Sequence, residues 1–215
     1  MKLYGYWRSG TSYRTRLGLA LKGIEVEHVP VDLTAGAQKS PEYMADNPQG
    51  LVPTLVLDDG TAIAQSGAIL EYLDEKFPAR PLLPAGVKAR AHVRQLCQIV
   101  GCDIHPLNNL RILKHLKNEF DQPQSGVDEW AGKWIAEGFD AYEALLGADQ
   151  GRGAFSFGGR PGMAECYLIP QIYSARRFNV DLTRWPLILG VEAATLALPE
   201  VAAALPENQA DAKPS

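Results

Sequence analysis

The chain opens on a short apolar run, Lys2 to Trp7, that reads as a strand. Small hydroxyl residues follow in Arg8-Ser9-Gly10-Thr11-Ser12-Tyr13-Arg14, and then the period changes. Leu17, Ala20, Leu21 and Ile24 recur at the spacing of one helix face. The pattern predicts a helix from about Thr11 to Lys22, with Gly23 as its C-terminal cap. Val26 to Val31 reads as a second strand, and the polar stretch Gln38 to Asn47 as partly helical. Thr54 to Leu57 and Thr61 to Ala64 are two short strands joined by Asp58-Asp59-Gly60, a hairpin signal. Ser66 stands where a cap would open a helix that turns Ile69, Tyr72 and Leu73 inward.

Strand–helix–strand followed by strand–strand–helix is a thioredoxin-like order, expected over residues 1–78. Phe77-Pro78-Ala79-Arg80-Pro81-Leu82-Leu83-Pro84 is stiff and non-helical, so 79–86 reads as a linker. Strand signals stop at Lys88. Helices are expected at about 88–117, 128–147, 162–176 and 187–197, with a short one near 199–204 and a loop from Asp121 to Val127. The fold class is therefore α/β followed by all-α. An all-helical domain spans 87–205, and the small polar residues 206–215 form an expected flexible tail.

Composition narrows the function. The 215 residues carry a net charge of −4, without the basic excess a nucleic-acid surface needs. No apolar run approaches the ~18 residues of a membrane span. The N-terminus has no secretory apolar core, so a cytoplasmic location is expected. Cys97, Cys102 and Cys166 are odd in number and form no CxxC pair, so neither a disulfide framework nor a metal site is expected.

The candidate chemistry lies at three turns. A free thiol has a pKa well above 7, and the thiolate is the nucleophile. A hydroxyl donor at the positive end of a helix favours the anion. Ser9 and Thr11, on either side of Gly10, offer both, although helix capping alone also explains their identity. Val52-Pro53, after Asn47-Pro48-Gln49-Gly50, suggests a cis bond that turns the Val52 N–H and C=O toward an extended ligand. Gln65-Ser66 opens a helix whose free N–H groups suit a carboxylate.

These motifs resemble those of the zeta-class glutathione transferases. Ser9-Gly10-Thr11-Ser12-Tyr13-Arg14-Thr15-Arg16 stands where that class has Ser-Ser-Cys-x-x-Arg-x-Arg, with Gly10 and Thr11 replacing the second Ser and the Cys. With Ile99-Val100-Gly101-Cys102-Asp103-Ile104-His105-Pro106, this version is similar to bacterial glutathione-dependent maleylpyruvate isomerases and their maleylacetoacetate isomerase relatives. The resemblance runs over about residues 1–205. It implies the glutathione transferase fold, glutathione as cofactor and a homodimer. It also implies that Val52 and Pro53 bind the cysteinyl backbone and that Gln65 and Ser66 hold the γ-glutamyl end. Ser9, Thr11, Gln38, Gln49, Asp103, His105 and Asn109 complete the implied cofactor site, with Asp103 reaching across the dimer.

The second substrate is expected to be a small dicarboxylate diketo acid. Guanidinium groups bind carboxylates in a fork. Arg8 lies beside Ser9, and Arg177-Phe178 matches the zeta-class Arg-Phe that binds the substrate carboxylate. His105 and Asn109 are four apart on one face of the predicted helix, which Pro106 should kink. Arg111 faces either the pocket or a partner subunit. Arg8, His105, Asn109, Arg111 and Arg177 are thus the candidate substrate residues. Ser9, Thr11, Arg8 and Arg177 are the candidate catalytic ones. The implied reaction is cis–trans isomerisation of maleylpyruvate to fumarylpyruvate in aromatic-acid catabolism. The alternatives are maleylacetoacetate isomerisation, general conjugation of small electrophiles, and glutathione binding without catalysis. Gly162 replaces the Ser or Thr of the family's capping box, leaving Glu165 as its other half.

Overall fold

A computed structural model describes residues 1–213. The chain divides into two units, one of Met1–Leu82 together with residues 198–213, the other of Leu83–Ala197. The division falls inside the proline-rich segment.

In the first unit, strands β1 (Lys2–Gly5), β2 (Glu27–Pro30), β3 (Thr54–Val56) and β4 (Ala62–Ala64) form one sheet in the order β2-β1-β3-β4. β1 runs parallel to β2, and β3 runs antiparallel to both β1 and β4. Leu3 pairs with Leu55 across the sheet. These two join Leu19 of helix α1 (Gly10–Lys22) and Ile69 and Leu73 of helix α3 (Ser66–Lys76) in a buried cluster. Helix α2 (Pro41–Asp46) is short, with Ser40 as its cap. The sheet and its helices follow the thioredoxin-like order.

Helix α1 departs from the expected single stripe. It is buried from Ser12 to Leu19, whereas Ala20 and Leu21 are only half-buried. The sheet takes one side, α3 another, and the 3-10 turn Pro199–Ala204 a third. Arg14 and Arg16 are each only 5% exposed, so each guanidinium must be satisfied inside the protein.

The same packing corrects the expected end of the helical domain at residue 205 and the flexible tail at 206–215. Residues 198–213 belong with the first unit. The side chains of Asn208 and Gln209 donate to the Ala202 and Leu205 carbonyls, each at 2.8 Å. The Trp7 N–H donates to Asp211 at 3.0 Å. Ordered backbone partners, not composition, decide whether a polar terminus frays. Residues 214–215 of that predicted tail lie outside the described residues.

The second unit is helical: α4 (Val87–Gln98), α5 (Leu110–Glu119), α6 (Gln124–Ala148), α7 (Met163–Arg177) and α8 (Pro186–Leu196). Leu96, Val100, Ile104, Ile135, Phe139, Ile172 and Ile188 are all at 0% exposure and make its core. The expected helix over 88–117 is broken. A π-helical turn, Ile99–Ile104, follows α4, and the His105 N–H donates to the Val100 carbonyl at 2.9 Å. Pro106 has no N–H with which to continue the ladder, so the helix ends there rather than bending. Gly138 is required opposite this turn, since a Cβ there would lie 2.3 Å from Ile104. The expected loop 121–127 is shorter than predicted, because α6 begins at Gln124.

Gly162 has no side-chain acceptor, but Glu165 supplies the other half of the cap. Its carboxylate accepts from the Gly162 N–H at 2.6 Å and from the Ser156 N–H at 2.7 Å, and the side chain is 1% exposed. Glu165→Ala strips both amides of their acceptor and should cost about 3 kcal/mol in denaturant unfolding. Burial pushes the Glu165 carboxyl above its ordinary value, against the pull of the two amides. The folded state therefore holds this proton more tightly than the unfolded chain. Stability should fall as pH climbs from the ordinary carboxylate value through the raised one, and Glu165→Gln should abolish that slope.

Candidate active site

At the start of α1, Ser9 takes the cap position, and its Oγ accepts from the Ser12 N–H at 3.3 Å. Thr11 Oγ1 donates to the Val52 carbonyl at 2.9 Å and lies 3.0 Å from Ser9 Oγ. Thr11 has one hydroxyl proton, and the carbonyl takes it. Within the pair, Ser9 must therefore be the donor. Ser9 has the movable proton of the two, whereas Thr11 ties the helix start to the Val52 loop. Arg8, half-buried, sets its guanidinium 5.1 Å from the centre of the Trp7 ring.

The Val52–Pro53 bond is cis, as expected from the sequence. The preceding carbonyl, of Leu51, is held by a closed buried network. Tyr43 Oη donates to it at 2.6 Å, and Asn47 Nδ2 also donates to it at 2.6 Å. Thr54 Oγ1 lies 2.8 Å from Tyr43 Oη and accepts from Asn47 at 3.0 Å. Burial pushes the Tyr43 phenol up, so it stays a donor at neutral pH. Gly50 has a φ of 59°, and a Cβ on it would meet the Gln38 carbonyl at 2.8 Å. Sequence reading missed Tyr43, Asn47 and Thr54. Only the Asn47-Pro48 turn hinted at them.

At the third turn, Ser66 is the first residue of α3 and not its cap. Gln65 holds the cap position with a φ of 69°, a sparsely populated conformation for a residue with a side chain. Ser66 Oγ accepts from the Arg14 guanidinium at 3.0 Å. Its own proton stays available, beside the open N–H groups of the first turn of α3. A carboxylate fits there. Gln65 Nε2 donates to Gln49 Oε1 at 2.6 Å, which brings two expected cofactor residues together. Gln38 Oε1 is buried and has no hydrogen-bond partner, so it keeps an acceptor in reserve. Arg14 belongs to the motif at the start of α1, and its reach to Ser66 is visible only in the fold.

The remaining expected site residues lie in the second unit. His105 Nε2 is 3.5 Å from Asn109 Nδ2, so the two meet, though through a turn rather than along one helix. Asn109 caps α5, and its Oδ1 accepts from the Arg111 N–H at 3.1 Å. Arg111 and Asp103 are exposed. Arg177, also exposed, is 5.9 Å from the Phe178 ring centre. Its neighbour Arg176 grips Glu192 with both nitrogens, the second contact at 2.6 Å, and so ties α7 to α8.

Residues 1–75 match the model of the glutathione S-transferase N-terminal domain. Over 212 residues the chain is 50% identical to the maleylpyruvate isomerase of a Ralstonia species, covering 98% of this chain and 99% of that one. A holo structure of maleylpyruvate isomerase, described as a bacterial zeta-class glutathione transferase, superposes with a TM-score of 0.97. It is 49% identical, over 99% of this chain and 100% of that chain. This chain belongs to the zeta-class glutathione transferases. A maleylacetoacetate isomerase of Methylobacterium extorquens, solved with malonate and glutathione bound, is also similar. Its TM-score is 0.95 at 38% identity, with full coverage of both chains. Membership of the class agrees with the fold class read from the sequence.

Proposed function

We propose that this zeta-class enzyme converts maleylpyruvate to fumarylpyruvate with glutathione as cofactor. The observation that carries this is the Ser9–Thr11–Val52 arrangement, in which one hydroxyl keeps a redirectable proton at a helix start. The 50% identity to the Ralstonia maleylpyruvate isomerase supports the choice of substrate. Glutathione, when bound, would supply a thiolate able to add to the cis double bond and, after rotation about the resulting single bond, to leave again as the C–S bond breaks and the trans double bond forms.

The residues of the chain do the rest. Ser9 swings its proton from Thr11 toward the sulfur and, with the α1 N-terminus, favours the anion. Thr11 keeps the Val52 loop against that helix start. The Val52 backbone holds the cysteinyl part of the tripeptide, with Pro53 shaping the loop. Ser66, Gln65, Gln49 and Gln38 take its polar ends. Asp103, His105 and Asn109 complete the cofactor set. Arg8, Arg111 and Arg177 bind the substrate carboxylates and steady negative charge on its keto oxygens.

Loss of the enol absorbance of maleylpyruvate tests the reading. Turnover should require glutathione and should be faster than with maleylacetoacetate. A reverse ranking would make the chain a maleylacetoacetate isomerase, the reading favoured by its likeness to the Methylobacterium enzyme. Among the described residues no helix is long and apolar enough to cross a membrane. The setting we propose is a homodimer in the cytoplasm, with light scattering of the purified protein as the check on assembly.

A further inference from the structure

The C-terminal stretch does more than cover α1. The Trp7 N–H donates to Asp211 Oδ2 at 3.0 Å. The Trp7 carbonyl accepts from Arg16 Nη2 at 2.9 Å, and Arg16 Nε donates to the Ala204 carbonyl at 3.0 Å. Both backbone groups of Trp7 are thus fixed, one directly and one through Arg16, by residues some two hundred positions away in sequence. Lys213 extends the attachment to Asp32 at 3.3 Å. Trp7 in turn carries Arg8 on its ring and sits two residues before Ser9.

We propose that the segment Leu198–Lys213 clamps the turn that presents Arg8 and Ser9, with Asp211 as a positioning residue for the reaction. Trp7 leaves β1, and its N–H lies beyond the sheet pairing, which ends at Gly5. Asp211 supplies the acceptor the sheet does not. A charged acceptor makes the stronger kind of hydrogen bond, and a small displacement of a group at the reacting atom costs rate steeply. The cysteinyl backbone and the γ-glutamyl end of glutathione, by contrast, would be held at Val52 and at Gln65 and Ser66, none of which Asp211 touches. Loss of the clamp should therefore weaken turnover more than cofactor binding. The inference rests on the proposed function for its kinetic consequence only.

Asp211→Ala, and a chain ended at Gln209, should both lower kcat for maleylpyruvate by about tenfold while the glutathione KM changes by less than about twofold. Asp211→Asn should recover most of the rate, because its amide oxygen still accepts from Trp7. The midpoint at which bound glutathione ionises, read from thiolate absorbance, should rise in the alanine and shortened forms. An unchanged kcat and midpoint would overturn the proposal. So would a fall in melting temperature with no kinetic split, or an Asn variant no better than Ala. If the unaltered enzyme isomerises neither diketo acid, the functional reading fails, and the ionisation midpoint alone decides the clamp.

Discussion

Ser9→Ala should lower the isomerisation of maleylpyruvate by about 10²-fold or more, the cost of removing one preorganised donor from a developing anion. The geometry makes the loss specific. Thr11 has already committed its proton to the Val52 carbonyl, so it cannot take over. Thr11→Ala should hurt less, because it frees the Ser9 proton while loosening the loop. Glutathione KM should move little in Ser9→Ala, since Gln65, Ser66 and the Val52 loop are untouched. The donor lowers the thiol pKa, so its removal raises it, and less thiolate is present at neutral pH. The rate deficit should narrow as pH rises and the thiol ionises unaided. A deficit that stays constant with pH would show that Ser9 acts on something other than the sulfur.

Asp74→Ala should be the most damaging change to stability, by about 3–5 kcal/mol in denaturant unfolding. Lys22 Nζ, with its side chain at 0% exposure, lies 3.3 Å from Asp74 Oδ1 and donates to the Arg80 carbonyl at 2.9 Å. The Leu82 N–H also donates to Asp74, at 2.5 Å. This cluster joins the end of α1, the C-terminal part of α3 and the proline-rich segment. Removing the carboxylate leaves a buried ammonium and a buried amide together. That is a large share of the ~5–15 kcal/mol that holds a typical domain. Lys22→Met with Asp74→Leu should recover part of the loss, because no charge is then left alone. Recovery stays incomplete, since the Leu82 N–H and the Arg80 carbonyl still lack partners. Full recovery would mean that these backbone bonds contribute nothing.

Legibility of the chain follows the range of the forces involved. Ser9 as the cap of α1, Gly23 in a left-handed C-terminal cap and the cis Val52–Pro53 bond were readable because each is set by neighbours within a few residues. Ser66 has the local sequence of a cap, yet it is the first residue of α3 and is bonded by Arg14, fifty-two residues earlier. The Asp211–Trp7 bond spans 204 positions and left no local mark. The predicted helix 88–117 failed for a mixed reason. Pro106 announced a disturbance, but whether a helix bends or stops depends on what replaces the missing bond. Here the wider π turn packed on Gly138 replaces it.

The sequence alone determined the strand and helix order, the break at the prolines, the three turns that open α1, β3 and α3, and the family to which they belong. Those follow from hydrophobic period, turn chemistry and short motifs, all written over a handful of adjacent residues. Tertiary structure decided which hydroxyl keeps its proton, why arginines tolerate burial in α1, and where residues 198–213 go. A hydrogen bond has one donor and needs a partner at about 3 Å, and distant segments reach that distance only when a core has drawn them together.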